Sequence, residues 1–164
     1  MSVELVPISP PDTPVLARLL QLYAYDFSEI LGNDIEDNGL FRAPDAARFV
    51  GAVGRHPFFV EVDGQLAGFV VVDEASRFGH TDAPLDVAEF FVLRRHRRAG
   101  VGRAVALAIF SRFRGVWEVR QVRANTAATA FWRRVIRDYT GREPDEQQHD
   151  DERWRGPVQR FDNR

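Results

Sequence analysis

The stretch that most restricts what this chain can become is Glu89-Phe90-Phe91-Val92-Leu93-Arg94-Arg95-His96-Arg97-Arg98-Ala99-Gly100-Val101-Gly102-Arg103-Ala104, which runs on into the apolar segment Val105 to Phe110. It reads as a buried strand, a short arginine-loaded loop with two glycines, and a helix that opens on those glycines. A helix N-terminus leaves up to about four backbone N–H groups unpaired and carries roughly half a positive charge. Glycine lets an anion approach that backbone closely. Five arginines between Arg94 and Arg103 add fixed charge at the mouth, so the stretch predicts a site for a pyrophosphate or several phosphates.

The net charge of -2 hides a division along the chain: residues 1–93 are net -10, residues 94–137 net +11 and residues 138–164 net -3. All 22 basic residues are arginine, which excludes both a Walker-type phosphate loop and Schiff-base chemistry, since each needs a lysine. Gly100-Val101-Gly102-Arg103-Ala104-Val105 lacks the third glycine of the dinucleotide fingerprint, and about twenty residues on stands Arg120 instead of a ribose-binding acid, so NAD and FAD are disfavoured. There is no cysteine, hence no disulfide, thiolate metal site or cysteine nucleophile. His56, His80, His96 and His149 are scattered without metal-ligand spacing, and no metal is expected. A nucleic-acid partner is disfavoured too, because the arginines of the basic segment sit at a loop and between apolar residues, with no recognition motif.

The length of 164 residues and the 45% hydrophobic content predict a single globular domain over 1–164. No apolar run approaches the roughly 18 residues of a membrane span, and Met1-Ser2-Val3-Glu4 has no basic region leading into an apolar one. The expectation is a cytoplasmic protein with no membrane partner.

In chain order, Ser2 to Ile8 reads as a short edge strand, Pro7 being tolerated there. Asp12-Thr13-Pro14 starts a helix that runs to about Tyr23 or one turn further. The acidic segment Asp26 to Gly39 reads as a loop, either solvated with a few anchors or recruiting a substrate. Asp45 to Val53 reads as a short helix. His56 to Val62, Asp63-Gly64 and Gln65 to Val72 form a hairpin whose strands are both central. Leu85 to Leu93 is a strand covered on both faces, and a deeply packed helix runs from Gly100 or Val101 to about Phe113. Val116 to Val122 is a strand, Asn125-Thr126 opens a helix ending at Thr140-Gly141, and Trp154 to Phe161 is a last strand. Residues 142–152 carry no clear pattern. These elements make an α/β or α+β fold on a sheet of mixed direction.

Two motifs in this order resemble the GNAT superfamily of acyl-CoA-dependent N-acetyltransferases. Val92 followed by Arg97-Arg98-Ala99-Gly100-Val101-Gly102 is similar to its Arg/Gln-x-x-Gly-x-Gly/Ala signature. Asn125-Thr126-Ala127-Ala128-Thr129-Ala130-Phe131-Trp132 is similar to its Asn-x-x-Ala-x-x-Phe-Tyr signature except at the last position. The resemblance implies a mostly antiparallel sheet of about six to seven strands with a splayed parallel pair and about four helices. It implies acetyl-CoA as acyl donor: Phe91, Val92 and Leu93 beside the pantetheine, Arg97, Arg98, Ala99, Gly100, Val101, Gly102 and Arg103 at the phosphates, Asn125 and Trp132 near the thiol end. Arg94, Arg95 and Arg103 are alternatives for the 3′-phosphate. The acceptor, a small-molecule or peptide amine, would attack the thioester directly, as suits a chain without cysteine. A homodimer is compatible with the family.

Trp132 stands where the family often has a tyrosine thought to protonate the leaving thiolate, and an indole N–H is not a useful acid. Tyr139, seven residues on and on roughly the same helix face, is one replacement; Tyr23 and Tyr25 are others. Glu89, among phenylalanines, is the candidate general base, its pKa raised by burial; the plainer alternative is a hydrogen-bonded strand carboxylate. Tyr25, Asp26, Phe27 and Glu29 are candidates for binding a cationic acceptor. The missing tyrosine also leaves a non-catalytic acyl-CoA sensor as the alternative to an enzyme.

Overall fold

The Asp63-Gly64 turn takes φ of 50° and 75°, the double positive-φ geometry that joins strands at their natural twist. It connects β2, Arg55–Val62, to β3, Gln65–Asp73. Around this hairpin the computed structural model, which describes residues 1–164, builds a seven-stranded sheet. The other strands are β1 (Val3–Pro7), β4 (Leu85–Val92), β5 (Val116–Arg120), β6 (Asp145–Asp150) and β7 (Arg155–Asp162), and the order is β1-β2-β3-β4-β5-β7-β6. All neighbours are antiparallel except β4 and β5. The fold is the expected mixed sheet, with Pro7 on an edge strand and the hairpin inside.

Three α-helices cover the sheet: α1 (Thr13–Leu31), α2 (Val101–Arg112) and α3 (Thr126–Thr140). The apolar sets of the strands divide accordingly. Phe59, Phe69, Val71 and Phe91 pack under α1 with Leu16, Leu19 and Leu20. Val60, Val70, Val72, Val87 and Trp117 pack under α2 and α3 with Val105, Ile109, Phe110 and Ile136. Covering β3 and β4 on both faces explains their nearly continuous apolar sequence.

Three elements differ from expectation. Helix α1 does not stop near Tyr23 but runs to Leu31, where Gly32 caps it at φ 71°. Tyr23 and Phe27 pack edge to face at 4.8 Å, one turn apart, and burial of that pair outweighs the acidic, loop-like composition. The segment 45–53 holds only a 3₁₀ turn, Ala46–Arg48, because Asp45 caps it early and Gly51 and Gly54 both take positive φ; the helix count is therefore three instead of about four. Residues 142–152 contribute the edge strand β6, whose acidic and polar residues are largely exposed, as suits an edge that must not template further pairing. No helix is long and apolar enough to cross a membrane.

Gly68 sets the β3–β4 contact: a Cβ there would lie 2.0 Å from the Phe91 carbonyl oxygen. Gly68→Ala is expected to cost about 1–3 kcal/mol, the range of forced overpacking, read as a lower denaturation midpoint at unchanged slope; an unchanged midpoint would contradict this packing.

Candidate active site

The site begins where two strands part. β4 and β5 pair in parallel only at Leu85 with Trp117 and Asp86 with Glu118. From Val87 onward the β5-facing edge of β4 has no strand beside it. The irregularity in the β3–β4 register falls between Val71 opposite Glu89 and Val72 opposite Val87, so Ala88 is the extra residue. A bulge bends its strand and increases the local twist, and this one lies where the divergence starts.

At the open end of β4 the chain makes a 3₁₀ turn, Arg94–His96, then passes through Arg98 at φ 62° and Gly100 at φ 83° before α2 begins at Val101. The first main-chain bond into the helix is Ala104 N–H to the Gly100 carbonyl. The backbone N–H groups of Arg98, Ala99, Gly100, Val101, Gly102 and Arg103 therefore donate to no acceptor in the protein. Six free donors at the positive end of a helix form a cradle that suits a diphosphate.

The arginines divide into two groups. Arg97 turns away from the cradle: its Nε donates to the Val92 carbonyl at 2.8 Å, and its Nη2 and Nη1 donate to the Asp26 carboxylate at 2.6 and 3.3 Å. Arg94 Nε donates to the same carboxylate at 2.9 Å. Arg95, Arg98 and Arg103 are exposed, with Asp138 4.0 Å from Arg103. Gly102 likewise has a packing role, because a Cβ there would meet the Phe131 ring at 3.3 Å; it lets α2 lie against α3. Gly100 has open space around it and is glycine for its positive φ.

On the α1 face of the same sheet lies a group of acids. Burial pushes the Glu89 carboxyl above the ordinary range, against the opposing pull of the neighbouring Tyr23 phenol and of Arg120. Desolvation, with Glu89 alongside, pushes the Tyr23 phenol well above its ordinary value, so it stays protonated. Asp86, 4% exposed, accepts from Arg120 Nη2 at 3.1 Å, while its Oδ1 has no partner. Burial raises its pKa to about 6, with Asp73 and Glu118 adding to the rise and Arg120 opposing it. Arg120 in turn lies over the Trp154 ring at 4.7 Å. The arrangement can bind a cation and can accept a proton near neutral pH.

The other expected residues take these places. Asn125 caps α3, its Oδ1 accepting from Ala128 N–H at 3.2 Å. Trp132, 5% exposed, packs at 4.9 Å from Phe90 and 5.1 Å from Phe131, so it fills the wedge between α3 and the sheet. Tyr139 does not replace the missing acid: its hydroxyl donates to the Phe110 carbonyl at 3.4 Å and accepts from Arg114 at 3.2 Å, at the end of α3 remote from Asn125. Of the three tyrosines, Tyr23 is the one brought to Glu89. Tyr25 is exposed beside Phe41 and Glu29 is exposed 3.8 Å from Arg94. Asp26 belongs to Arg94 and Arg97, and Phe27 to the packing of Tyr23. Asp73, across the β3–β4 register from Asp86, carried no signal in the sequence, since its neighbours are set by strand pairing. A cavity of about 240 Å³ between the 76–82 loop and β5, β7 and β6 is lined by His80, Glu118 and Arg160. Glu118 is paired there with Ser76 and His80, and Arg160 with Asp82.

The sequence profile of the acetyltransferase (GNAT) family matches residues 17–136; the match includes both motifs, and the chain belongs to that family. The crystal structure of an acetyltransferase from Thermus thermophilus is similar with a TM-score of 0.69 at 16% identity, over 99% of this chain and 98% of that one. The GNAT domain of S. lividans PAT is similar with a TM-score of 0.63 at 19% identity, over 98% and 89%. An aminoglycoside acetyltransferase from an uncultured soil metagenomic sample, in complex with sisomicin, gives 0.60 at 15%, over 81% and 86%. At these identities the likeness is one of fold. No curated protein sequence matches the chain.

Asp86 makes stability depend on pH. Its folded-state pKa of about 6 lies above the ordinary 3.8, so the folded state holds the proton longer than the unfolded one. The resulting stability is complete below about pH 4 and lost as pH rises through about 6, with a span on the order of 3 kcal/mol. The unfolding free energy of the wild type minus that of Asp86→Asn is expected to fall between pH 4 and 6 and to be flat above 7. A flat difference over the whole range would contradict the burial of this charge.

Proposed function

We propose that the chain transfers the acetyl group of acetyl-CoA to a primary amine, with donor and acceptor bound together and no covalent enzyme intermediate. The observation that carries this reading is the row of six free amides at the mouth of the β4–β5 opening, with Glu89 in the same strand. The cradle fits the donor's diphosphate, and the unpaired edge of β4 at Phe91, Val92 and Leu93 offers main-chain partners to its pantetheine arm. Arg95, Arg98 and Arg103 are the cations free to meet its phosphates. Acetyl-CoA, when bound, supplies an acyl group already activated as a thioester.

The chain's own residues then manage the proton. An incoming ammonium is attracted to the α1 face by Glu89, Asp86 and Asp73, with Arg120 and Arg55, the latter paired with Asp73, as the opposing cations. Glu89 takes the proton that the amine must lose before it can attack, and its raised pKa makes it a better acceptor than an exposed carboxylate. Tyr23 lies beside the Glu89 carboxylate and stays protonated, which limits the rise of the Glu89 pKa. The crowd of carboxylates supports a cationic acceptor over an anionic one.

Calorimetric titration with acetyl-CoA and a DNA duplex, followed by a thiol-release assay over amines and peptides, tests the reading. Binding of acetyl-CoA and thiol release with at least one amine are expected. Binding without release from any amine would instead favour a sensor, and DNA binding alone would remove the proposal. Glu89→Gln is expected to lower kcat by about 10²–10⁴, the usual contribution of a positioned base, with the donor KM unchanged and the acid limb of the pH profile lost. Tyr23→Phe removes the hydroxyl that lowers the Glu89 pKa, so its acid limb is expected to move to higher pH; a shift the other way would contradict this neighbourhood.

A further inference from the structure

The geometry points to Asp26 as a positioning residue for the donor: by clamping Arg97 and Arg94 to α1, it holds the 94–100 loop in the shape that leaves its amides free for a diphosphate. The inference rests on the reading of that loop as the donor site. It also reverses what composition suggests, because a carboxylate beside an anion site reads as either an acceptor ligand or a hindrance.

Consider first what Arg97 has left to offer. A guanidinium donates from Nε along one edge and from its two terminal nitrogens along the others. Here Nε is bound to the Val92 carbonyl at 2.8 Å, and Nη1 and Nη2 hold the two oxygens of Asp26 at 3.3 and 2.6 Å. The same side chain lies 5.8 Å from the centroid of the Phe91 ring. The end of β4, the loop and α1 therefore meet at one planar group. Burial pushes the Asp26 carboxyl up, yet hydrogen bonds from Arg97 and Arg94 outweigh it and keep the pKa below the ordinary value, so the clamp is charged at neutral pH.

The residue after Arg97 shows what the clamp sustains. Arg98 sits at φ 62°, a left-handed conformation that a non-glycine residue keeps only where its surroundings fix it. That turn, continued by Gly100 at φ 83°, directs the chain into α2 with the amides of Arg98 to Arg103 unpaired. Without a fixed Arg97 the loop is free to relax into turns that pair those amides internally. Asp26 also lies one helical turn from Tyr23, so one stretch of α1 touches both Glu89 and the donor loop, and the acceptor side and the donor side share a support.

The sign of one measurement decides the matter. If Asp26 were only a nearby negative charge, removing it would release two arginines and strengthen diphosphate binding. If it positions the loop, removing it weakens binding. Calorimetric titration of the full chain with CoA is expected to show about tenfold weaker affinity for Asp26→Asn, within the range of indirect coupling. Arg97→Lys keeps the charge but cannot bridge Val92 and both carboxylate oxygens; a comparable loss is expected, with the double variant no weaker than either single one. In steady state the effect is expected in the donor KM, with kcat at saturating donor and the acceptor KM near wild type, a split that general destabilisation would not give. Equal or tighter CoA binding by Asp26→Asn, or wild-type affinity in Arg97→Lys, overturns the role of Asp26 alone. A wild-type chain that does not bind CoA removes the donor-site reading itself, and the clamp with it.

Discussion

Strands β4 and β5 are hydrogen-bonded at two residue pairs and then part, and the rest of the candidate site depends on that parting. A parallel pair held for longer would close the edge of β4 with ladder bonds and leave no backbone for a ligand. The bulge at Ala88 bends β4 at the point of separation. The same bulge sets the position of Glu89 and carries the end of the strand to the loop before α2. The opening, the place of Glu89 and the start of the loop thus all follow from the irregularity in the β3–β4 pairing.

The fold tolerates an unusual amount of charge at the centre of that sheet. Asp86 and Glu118 are both buried and neighbour each other across the β4–β5 pair, while Arg120 is the cation among them. Such a cluster is poor material for stability, because each charge loses its water and only well-placed partners compensate. One oxygen of Asp86 and the Nε of Arg120 have no partner at all. A sheet centre built for stability alone would carry apolar residues at these positions, as the Phe69–Phe91, Val70–Phe90 and Val72–Val87 rungs of β3 and β4 do. Polar groups left unpaired beside an opening are the mark of a surface that completes itself with something outside the chain.

Much of this was legible in the sequence, and for identifiable reasons. The 63–64 turn, the strand before Arg94, the helix opening at Val101 and the cap at Asn125 are all local: each is decided by a handful of adjacent side chains and by backbone geometry. Helix α1 beyond Tyr23 was not legible, because what holds it is Phe27 on Tyr23 and Asp26 on Arg97, the latter a contact across seventy-one positions. For the same reason Tyr139 looked suitable by helical spacing and is not, since its hydroxyl meets the Phe110 carbonyl and Arg114 at the wrong end of α3.

By itself, the sequence determined an arginine-rich strand–loop–helix unit, a mixed sheet and the motifs of the GNAT family, and that lysine and cysteine chemistry are closed to the chain. Only the tertiary structure decided which groups the cradle consists of. Composition offered five arginines as phosphate ligands, but a guanidinium binds whatever carboxylate or carbonyl reaches it first, and for Arg94 and Arg97 that is Asp26 and Val92. The donors left unpaired there are the backbone amides of residues 98–103, whose availability depends on where every other hydrogen bond in the fold has gone.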